Sequence, residues 1–264
     1  MQSILVGCDP EVFVKQGNKF LSAYGLIKGD KANPFPVRNG AVQVDGMALE
    51  FNTYPAASAN EFIINVEDVY AQLCAMVPEY QVVACPVADF DPQYMKEQPA
   101  EALELGCDPD YNGWSMNANG KPNGDRPFRT ASGHVHIGWT KDADIQSAEH
   151  FYAAGAVARQ MDFFLGLPSI AYDKDNRRRE LYGKAGCFRP KSYGCEYRTL
   201  SNAWLNSRTT MEWVFNAIQS GMHRLMSGDA LFEKHGDIQE IINSSDWKKA
   251  KKIIDKEGLA IPHV

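Results

Sequence analysis

Two carboxylates stand two residues apart near the start of the sequence, where Asp9 and Glu11 occur in a segment rich in β-branched residues. Side chains two positions apart in a β-strand point to the same face of the sheet. Two carboxylates on one face repel each other, and a divalent cation that prefers oxygen ligands removes that repulsion. The pair therefore indicates a metal site, although a solvated strand edge with an Asp-Pro turn would show the same pattern.

Two later motifs have the same two-residue spacing and complementary chemistry. His134 and His136 lie in a Gly-flanked segment typical of a strand, and imidazoles at this spacing suit a metal or a phosphate. Glu196 and Arg198 also share one strand face, where the glutamate suits a cation and the arginine fork suits a phosphate or carboxylate. Hydrogen-bonded core histidines and an ordinary ion pair are the alternatives. Glu50, late in another strand, is a further candidate or simply part of a polar face.

A basic segment follows the histidine motif in an otherwise acidic sequence. Gly183 and Gly186 interleave with its cations, which favours a mobile loop that closes on an anion, although a solvated loop is equally compatible. The cations are Arg177, Arg178, Arg179, Lys184, Arg189 and Lys191.

Several common catalytic motifs do not occur in the sequence. It contains no G-x-x-x-x-G-K-[ST], no G-x-G-x-x-G between a strand and a helix, and no G-x-S-x-G. Cys8 and Cys195 each stand next to an acidic residue, which disfavours a thiolate. The sequence therefore does not indicate a cysteine nucleophile.

The elements that must position these residues follow from hydrophobic periodicity. Strands are predicted over 4–14, 42–52, 82–87, 133–139 and 195–199, with Gly46 as a bulge in the second. Helices are predicted over 60–77, 144–165, 209–226 and 244–256, the first capped by Ser58 or Asn60. Residues 15–40 are predicted to form a loop or hairpin. Residues 89–129 are predicted to form a long excursion near a functional site.

The amino-acid composition limits the classes of protein to which this sequence can belong. Of 264 residues, 44% are hydrophobic and 23% are charged, which favours a soluble α+β domain over 1–264 with a helical tail over 240–264. A net charge of −6 argues against a main role in binding nucleic-acid phosphates. No apolar run is long enough to span a membrane, and the N-terminus lacks the features of a signal peptide. Six cysteines without a C-x-x-C pair predict reduced thiols in the cytoplasm.

The order of these motifs resembles that of the glutamine synthetase and glutamate–cysteine ligase superfamily. The resemblance is closest to phage-encoded COOH–NH2 ligase type 2 (amidoligase) proteins. An acid-x-acid strand, a strand glutamate, a Gly-rich H-x-H strand and an E-x-R strand occur there in the same order. The segments that carry the resemblance are GCDPEVF, ALEFNTYPA, SGHVHIG and GCEYRTLSNAWL, within residues 4–210.

The resemblance implies an α+β fold with a curved, mainly antiparallel sheet. Helices would pack on its convex face, and ATP with Mg²⁺ or Mn²⁺ would bind its concave face. ATP would phosphorylate a substrate carboxylate, and an amine would then attack the acyl phosphate to form an amide or peptide-like bond. The implied partners are a small-molecule or peptide carboxylate and an amine, without nucleic acid or membrane, and a homo-oligomer is compatible. The implied location is the cytoplasm, which is the host's if the protein is phage-encoded.

The resemblance also implies a role for each motif residue. Arg198 would stabilise the transferring phosphoryl group, where negative charge is redistributed. Glu11 and Glu50 would hold the metal nearer the acyl acceptor, and the other metal ligands would hold the one bridging the ATP phosphates. The expected metal ligands are Asp9, Glu11, Glu50, His134 and Glu196. The expected nucleotide contacts are His136, Arg198, Lys184, Arg179 and Ser132, and the expected catalytic residues are Arg198, Glu50 and Arg189.

Two departures from the superfamily pattern limit what the resemblance implies about the metal site and the reaction. Asp9 stands where the family usually has a glutamate, so its reach is shorter by a methylene. The first motif begins at residue 7, so we expect no N-terminal β-grasp domain of the glutamine synthetase kind and do not expect glutamine synthesis. A metal-dependent hydrolase and a non-catalytic, ligand-binding remnant of the ligase fold are the alternative functions.

Overall fold

Side chains alternate along the first strand, and this alternation separates the two faces of the central sheet. Val6, Cys8, Val12 and Val14 are buried on one face, whereas Asp9 lies on the other and is only partly buried. The computed structural model describes residues 3–103, 110–120 and 126–262.

The strands, in chain order, are β1 (Leu5–Gln16), β2 (Lys19–Leu21), β3 (Phe35–Val37), β4 (Gly40–Asp45), β5 (Ala48–Thr53), β6 (Gln81–Val83), β7 (Val87–Asp89), β8 (Tyr111–Asn112), β9 (Phe128–Thr130), β10 (Gly133–Gly138), β11 (Cys187–Lys191) and β12 (Gly194–Tyr197). Within the described ranges, the main sheet has the order β3-β4-β5-β1-β10-β12-β11-β8, and β2 and β6 also pair with β1. A separate two-stranded sheet joins β7 to β9. Neighbouring strands pair antiparallel, which confirms the predicted α+β fold with a mainly antiparallel sheet.

The helices are α1 (Ala59–Met76), α2 (Pro92–Lys96), α3 (Ala100–Leu103), α4 (Ala148–Met161), α5 (Leu167–Ser169), α6 (Arg177–Leu181), α7 (Arg208–Met226), α8 (Leu231–His235), α9 (Gln239–Asn243) and α10 (Trp247–Glu257). A π-helical segment, Asp162–Gly166, continues α4, and a 3-10 segment, Asn202–Asn206, precedes α7. The Ser58 hydroxyl accepts a hydrogen bond from the Glu61 amide, which confirms Ser58 as the cap of the first long helix.

The long helices cover the apolar face of the sheet. Helix α1 packs on β4 and β5, α4 packs on β11 and β12, and α7 packs against both helices. The core between these layers includes Leu49, Phe51, Val135, Ile137 and Tyr197, all fully buried. Because strand side chains alternate, the residues between these apolar positions face away from the helices. That second face carries the charged residues singled out by the sequence motifs.

The predicted strand over 42–52 is wrong in one respect, because it is two strands joined by a tight hairpin. Asp45 pairs with Ala48, and Gly46 lies in the two-residue turn between them with φ of +56°. Glycine is favoured in such turns because it adopts positive φ at little cost, and Asp-Gly is a common hairpin signal. Gly46 is therefore a turn residue rather than a bulge, and the hairpin places Gln43 opposite Glu50.

Other predicted elements differ from the structure in extent or in type. The predicted helix over 144–165 becomes α4 followed by the π-helical segment. The basic segment, which was expected to form a loop, contains α6 and β11. The predicted strand over 82–87 separates into β6 and the start of β7. Residues 15–40, predicted to form a loop or hairpin, include the short strands β2 and β3.

A second, smaller core lies on the charged side of the sheet. Phe13, from β1, packs there with Phe90, Met95 and Ala102 from the segment predicted to form an excursion. This packing holds β7, β9, α2 and α3 over one end of the charged face. The part of 89–129 that the structure describes thus borders that face, while 104–109 and 121–125 lie outside the described residues.

The described cysteines are all free thiols, namely Cys8, Cys74, Cys85, Cys187 and Cys195, and Cys107 lies outside the described residues. Among the helices that the structure describes, none combines the length and the apolar composition needed to cross a bilayer.

The close approach of Gly133 to the segment after β12 generates a prediction about stability. A Cβ at this position would lie 2.3 Å from the Ser201 carbonyl oxygen and 2.4 Å from Trp204 Nε1. Neither a paired backbone nor a buried indole can move aside cheaply, so Gly133→Ala should lower the free energy of unfolding by about 1–3 kcal/mol or more. Urea denaturation measures this effect. Gly120→Ala is the control, because a Cβ there meets nothing within 4 Å; equal losses in both variants would contradict the prediction.

Candidate active site

Strand register brings the sequence motifs together on the charged face. Asp9 pairs with His134 across β1 and β10, and Glu11 pairs with Glu50 across β1 and β5. His136 pairs with Glu196 across β10 and β12, and Arg189 pairs with the same glutamate across β11. Directly opposite residues in an antiparallel sheet have neighbouring side chains. Residues more than 180 positions apart in sequence, Asp9 and Glu196, therefore share one site.

The first group of possible metal ligands is Asp9, His136 and Glu196, whose ligand atoms all lie within 4.8 Å of one another. His136 Nε2 is 3.0 Å from Asp9 Oδ1. His134 lies beside the group, with Nδ1 3.6 Å from Asp9 Oδ1 and 3.4 Å from Glu196 Oε1. Both histidines of the motif thus lie beside the two carboxylates.

The second group is Glu11, Asp45 and Glu50, again with ligand atoms within 4.8 Å of one another. Burial and the nearby charge of Asp45 raise the pKa of Glu11 to about 7. Burial and the charges of Asp9, Asp45 and Glu11 raise the pKa of Glu50 well above its usual range. These carboxylates are thus destabilised as anions by their own surroundings.

Positive charge gathers around Glu196. Lys191 Nζ lies 2.9 Å from Glu196 Oε2 and Arg189 Nη1 lies 3.6 Å from Oε1, while Arg198 Nη1 donates to the same Oε1. Burial alone would raise the pKa of Glu196, but Arg198 and the neighbouring histidines and lysine outweigh it and lower the pKa well below its usual range. Arg198 Nε also donates to Asp110 at 3.1 Å. Glu196 is therefore a stable, buried carboxylate.

The two histidines have opposite electrostatic environments. Burial, followed by the charge of Arg198, lowers the pKa of His134 well below its usual value. Burial also acts to lower the pKa of His136, but the charge of Asp9 and its hydrogen bond raise it overall. Tyr193 forms a short hydrogen bond with His136 Nδ1, which leaves Nε2 facing Asp9. His134 is thus favoured as a neutral imidazole, the form that binds metals.

Cavities in the described part of the chain border these groups. One of about 60 Å³ adjoins the second carboxylate group and is lined by Glu11, Asp45, Ser132, His134 and Arg198 among others. A larger one of about 370 Å³ borders His136. Its lining includes Leu5, Pro55, Trp139 and Tyr193, together with Gly7 and Gly138.

The profile of one protein family matches residues 123–254, half of the chain, and its description is phage phiEco32-like COOH.NH2 ligase type 2. The chain belongs to this family. The matched segment contains both histidines of the motif, Glu196 and Arg198. A carboxylate–amine ligase is the enzyme class that the family description indicates. No curated protein matches the sequence.

The cations of the basic segment, which precedes the E-x-R strand, lie in different places in the structure. Arg189 and Lys191 lie on the charged face beside Glu196, whereas the Lys184 side chain is exposed. Arg179 is buried away from both ligand groups, where Nη2 lies 3.8 Å from Asp173 Oδ2 and Nη1 donates to Ser245 at 3.1 Å. Ser132 lines the smaller cavity, and its amide donates to Glu11 Oε2 at 2.8 Å.

Sequence reasoning missed several residues of the site. Asp45 belongs to the site because a hairpin brings the end of β4 beside the start of β5. The Asp-Gly dipeptide, which is typical of hairpin turns, is the sequence signal that indicates this residue. Lys191 belonged to the basic segment but was not distinguished from its neighbours. Asp110 and Tyr193 lie in irregular segments with no periodicity that could have indicated them.

A buried carboxylate on the opposite face supports the strand that carries Glu196 and Arg198. Asp162, in the π-helical segment, accepts hydrogen bonds from the Tyr197 hydroxyl at 2.7 Å, Trp114 Nε1 at 2.6 Å and the Gly186 amide at 3.0 Å. Burial raises the pKa of Asp162 to about 6, although these donors act to lower it. The Asp162 carboxylate thus joins three segments around the site. Its burial disfavours the ionised form, which is the electrostatic cost of this arrangement.

Because burial disfavours the ionised form of Asp162, the free energy of unfolding of the protein should depend on pH. The folded-state pKa of Asp162 is above the value near 3.8 of an unperturbed aspartate, so the stabilising contribution of its proton is complete below pH 4 and is lost as the pH rises through 6. The loss amounts to about 3 kcal/mol at most. The difference in unfolding free energy between the wild type and Asp162→Asn, measured with urea from pH 4 to 7, should change by up to this amount. Parallel pH profiles would contradict the prediction, because other titrating groups cancel in the difference.

Proposed function

We propose that this protein is an ATP-dependent carboxylate–amine ligase that requires Mg²⁺ or Mn²⁺. The observation that carries the proposal is the juxtaposition, on one sheet face, of two groups of metal-ligand residues with Arg189, Lys191 and Arg198 beside them. The family membership supports the same reaction class. We further propose that the protein works in the cytoplasm, the host's if it is phage-encoded, where ATP is available and thiols stay reduced.

The chemistry of the two groups fits divalent cations. Glu11, Asp45 and Glu50 offer only carboxylate oxygens, the ligands that Mg²⁺ prefers, and the raised pKa values of Glu11 and Glu50 reflect burial and the mutual repulsion of neighbouring carboxylates. Asp9 and Glu196 offer two carboxylates, and His134, with Nδ1 3.6 Å and 3.4 Å from them, offers a neutral imidazole; this mixture also suits Mn²⁺. When bound, the cations would neutralise phosphate charge and polarise the phosphoryl group.

The proposed reaction has two steps. A carboxylate oxygen of the acyl substrate attacks the terminal phosphorus of ATP, and ADP leaves. An amine then displaces phosphate from the acyl carbon to form the amide, with release of a proton. No serine, cysteine or threonine nucleophile is required, in agreement with the motifs that the sequence lacks.

Residues of this chain would contribute positioning and positive charge. Arg198 is held by Glu196 and Asp110, so its guanidinium is oriented before any substrate arrives, and it would stabilise the charge of the transferring phosphoryl group. Arg189 lies close enough to assist it. Tyr193 orients His136, which would contact the nucleotide phosphates from the edge of the larger cavity.

The larger cavity supports a place for the nucleoside. Its volume of about 370 Å³ lies within the range of small-molecule sites, and Trp139 and Tyr193 provide aromatic walls. Gly7 and Gly138, which have no side chain, also line it. The phosphates of a nucleotide seated there would extend past His136 toward the two ligand groups.

ATP binding measured by isothermal titration calorimetry, with and without Mg²⁺ or Mn²⁺, tests the proposal. We expect binding that depends on the cation and that His136→Ala weakens about tenfold or more, because a charge-assisted contact is lost. His223→Ala, on the exposed side of α7, is the matched control and should bind like the wild type. Absence of nucleotide binding with every cation would overturn the ligase proposal and leave a metal-dependent hydrolase or a binding protein.

A second prediction concerns Glu196 as a cation ligand. Glu196→Gln keeps the side-chain volume but removes a charge, so Mn²⁺ affinity measured by electron paramagnetic resonance should fall by about 10- to 100-fold or more. Glu212→Gln, an exposed substitution in α7, is the control and should leave the affinity unchanged. Retention of wild-type Mn²⁺ affinity in Glu196→Gln would remove Glu196 from the set of metal ligands.

A further inference from the structure

His150, in the first turn of α4, is a buried histidine that belongs to neither ligand group. Its relative exposure is 8%. Its Nε2 lies 2.8 Å from the Lys191 carbonyl oxygen and 3.1 Å from the Gly194 carbonyl oxygen. Because a carbonyl oxygen only accepts hydrogen bonds, Nε2 carries a proton and donates it to this pair of acceptors. The ring is therefore a hydrogen-bond donor to the backbone.

The two acceptors close the hairpin between β11 and β12. Lys191 pairs with Gly194, so Ser192 and Tyr193 alone form the turn. The N–H of His150 thus connects both ends of this turn to α4. A two-residue turn that is held at both ends has little freedom to change the direction of its side chains.

Side chains of this hairpin reach the first ligand group. The Tyr193 hydroxyl forms a short hydrogen bond with His136 Nδ1. Lys191 Nζ lies 2.9 Å from Glu196 Oε2. His136 and Glu196 both belong to the group of possible metal ligands. The position of the turn therefore determines where the Tyr193 and Lys191 side chains meet the site.

His150 also packs against an aromatic residue of the larger cavity. Its ring centroid is 5.9 Å from that of Trp139, and the two ring planes are 33° apart. Trp139 and Tyr193 both line the cavity of about 370 Å³. The Trp139 amide donates to the Tyr193 carbonyl oxygen at 3.0 Å, which joins the two residues. One buried ring thus supports both aromatic residues, Trp139 by contact and Tyr193 through the turn.

We propose that His150 is a positioning residue, which orients His136 and the aromatic lining of the larger cavity by holding the turn between β11 and β12. The proposal rests on the proposed ligase function and deepens it, because His136 and this cavity are the expected contacts of the nucleotide. His150 itself would touch neither nucleotide nor metal. Its N–H acts through Tyr193, and a charge on the ring is not required.

The ring-nitrogen resonances of His136 test this positioning without nucleotide or metal. The chain has six histidines, so isotope labelling of histidine gives few signals. His150→Phe keeps an aromatic ring beside Trp139 but removes the donor. It should move the His136 Nδ1 resonance toward its position in Tyr193→Phe, which lacks the hydroxyl. His150→Gln has an amide N–H at the distance of Nε2 and should restore the wild-type resonance, whereas the shorter His150→Asn should not.

Nucleotide affinity is the second readout. ATP titrated by calorimetry in Mg²⁺ should bind His150→Phe about tenfold or more weakly than the wild type, since partners that orient a binding histidine typically contribute that much. His150→Gln should bind it like the wild type. In a Tyr193→Phe background, His150→Phe should add little, because both changes act on one hydrogen bond. His223→Phe, exposed on α7, is the matched control and should change neither readout.

Three results would overturn the proposal. One is a His150→Phe variant that melts at a lower temperature but keeps the wild-type resonance and affinity, as a merely structural residue would. Another is a full effect of His150→Phe in the Tyr193→Phe background. The third, which decides the question if His150→Phe does not fold, is equal behaviour of His150→Gln and His150→Asn. Failure of ATP to bind the wild type would remove the ligase function but not this inference, because the resonance is measured without nucleotide.

Discussion

The dominant constraint in this protein is the concentration of negative charge on one face of its sheet. Asp9, Glu11, Asp45, Glu50 and Glu196 come from four strands and form two groups whose ligand atoms lie within 4.8 Å of one another. Like charges at such distances repel strongly in a partly buried setting. The positions of the neighbouring cations and of the buried groups in the site follow from how this repulsion is offset.

The two groups are compensated differently. Glu196 has Arg198, Lys191 and Arg189 around it, and its pKa is low despite burial. Burial and the charges of neighbouring carboxylates raise the pKa values of Glu11 and Glu50, although Arg198 acts to lower that of Glu11 and Lys31 Nζ lies 2.8 Å from Asp45 Oδ1. The two ends of the site therefore differ in how far positive charge from the protein offsets the buried carboxylates. This asymmetry agrees with a reaction in which cations, phosphates and a carboxylate meet on one surface.

The apolar face of the same sheet makes that charged face possible. Helices α1, α4 and α7 bury the alternate residues of the strands, and a shift of one residue in register would move the carboxylates into this core. Asp162 extends the support, because its carboxylate joins Tyr197, Trp114 and Gly186 directly beneath the E-x-R strand. The position of Arg198 thus depends on packing on the face opposite to its own.

The sequence by itself determined the three same-face pairs, Asp9 with Glu11, His134 with His136 and Glu196 with Arg198, because the two-residue period of a strand is a local property. It also indicated the α+β class and the Ser58 cap, which depend on nearby residues. Only the tertiary structure decided that Asp45 joins Glu11 and Glu50, that Arg179 pairs with Asp173 away from the site, and that Arg129 enters the smaller cavity. These placements depend on a hairpin turn and on contacts between distant segments. Side-chain alternation within a strand carries no information about which strand or loop will lie beside it.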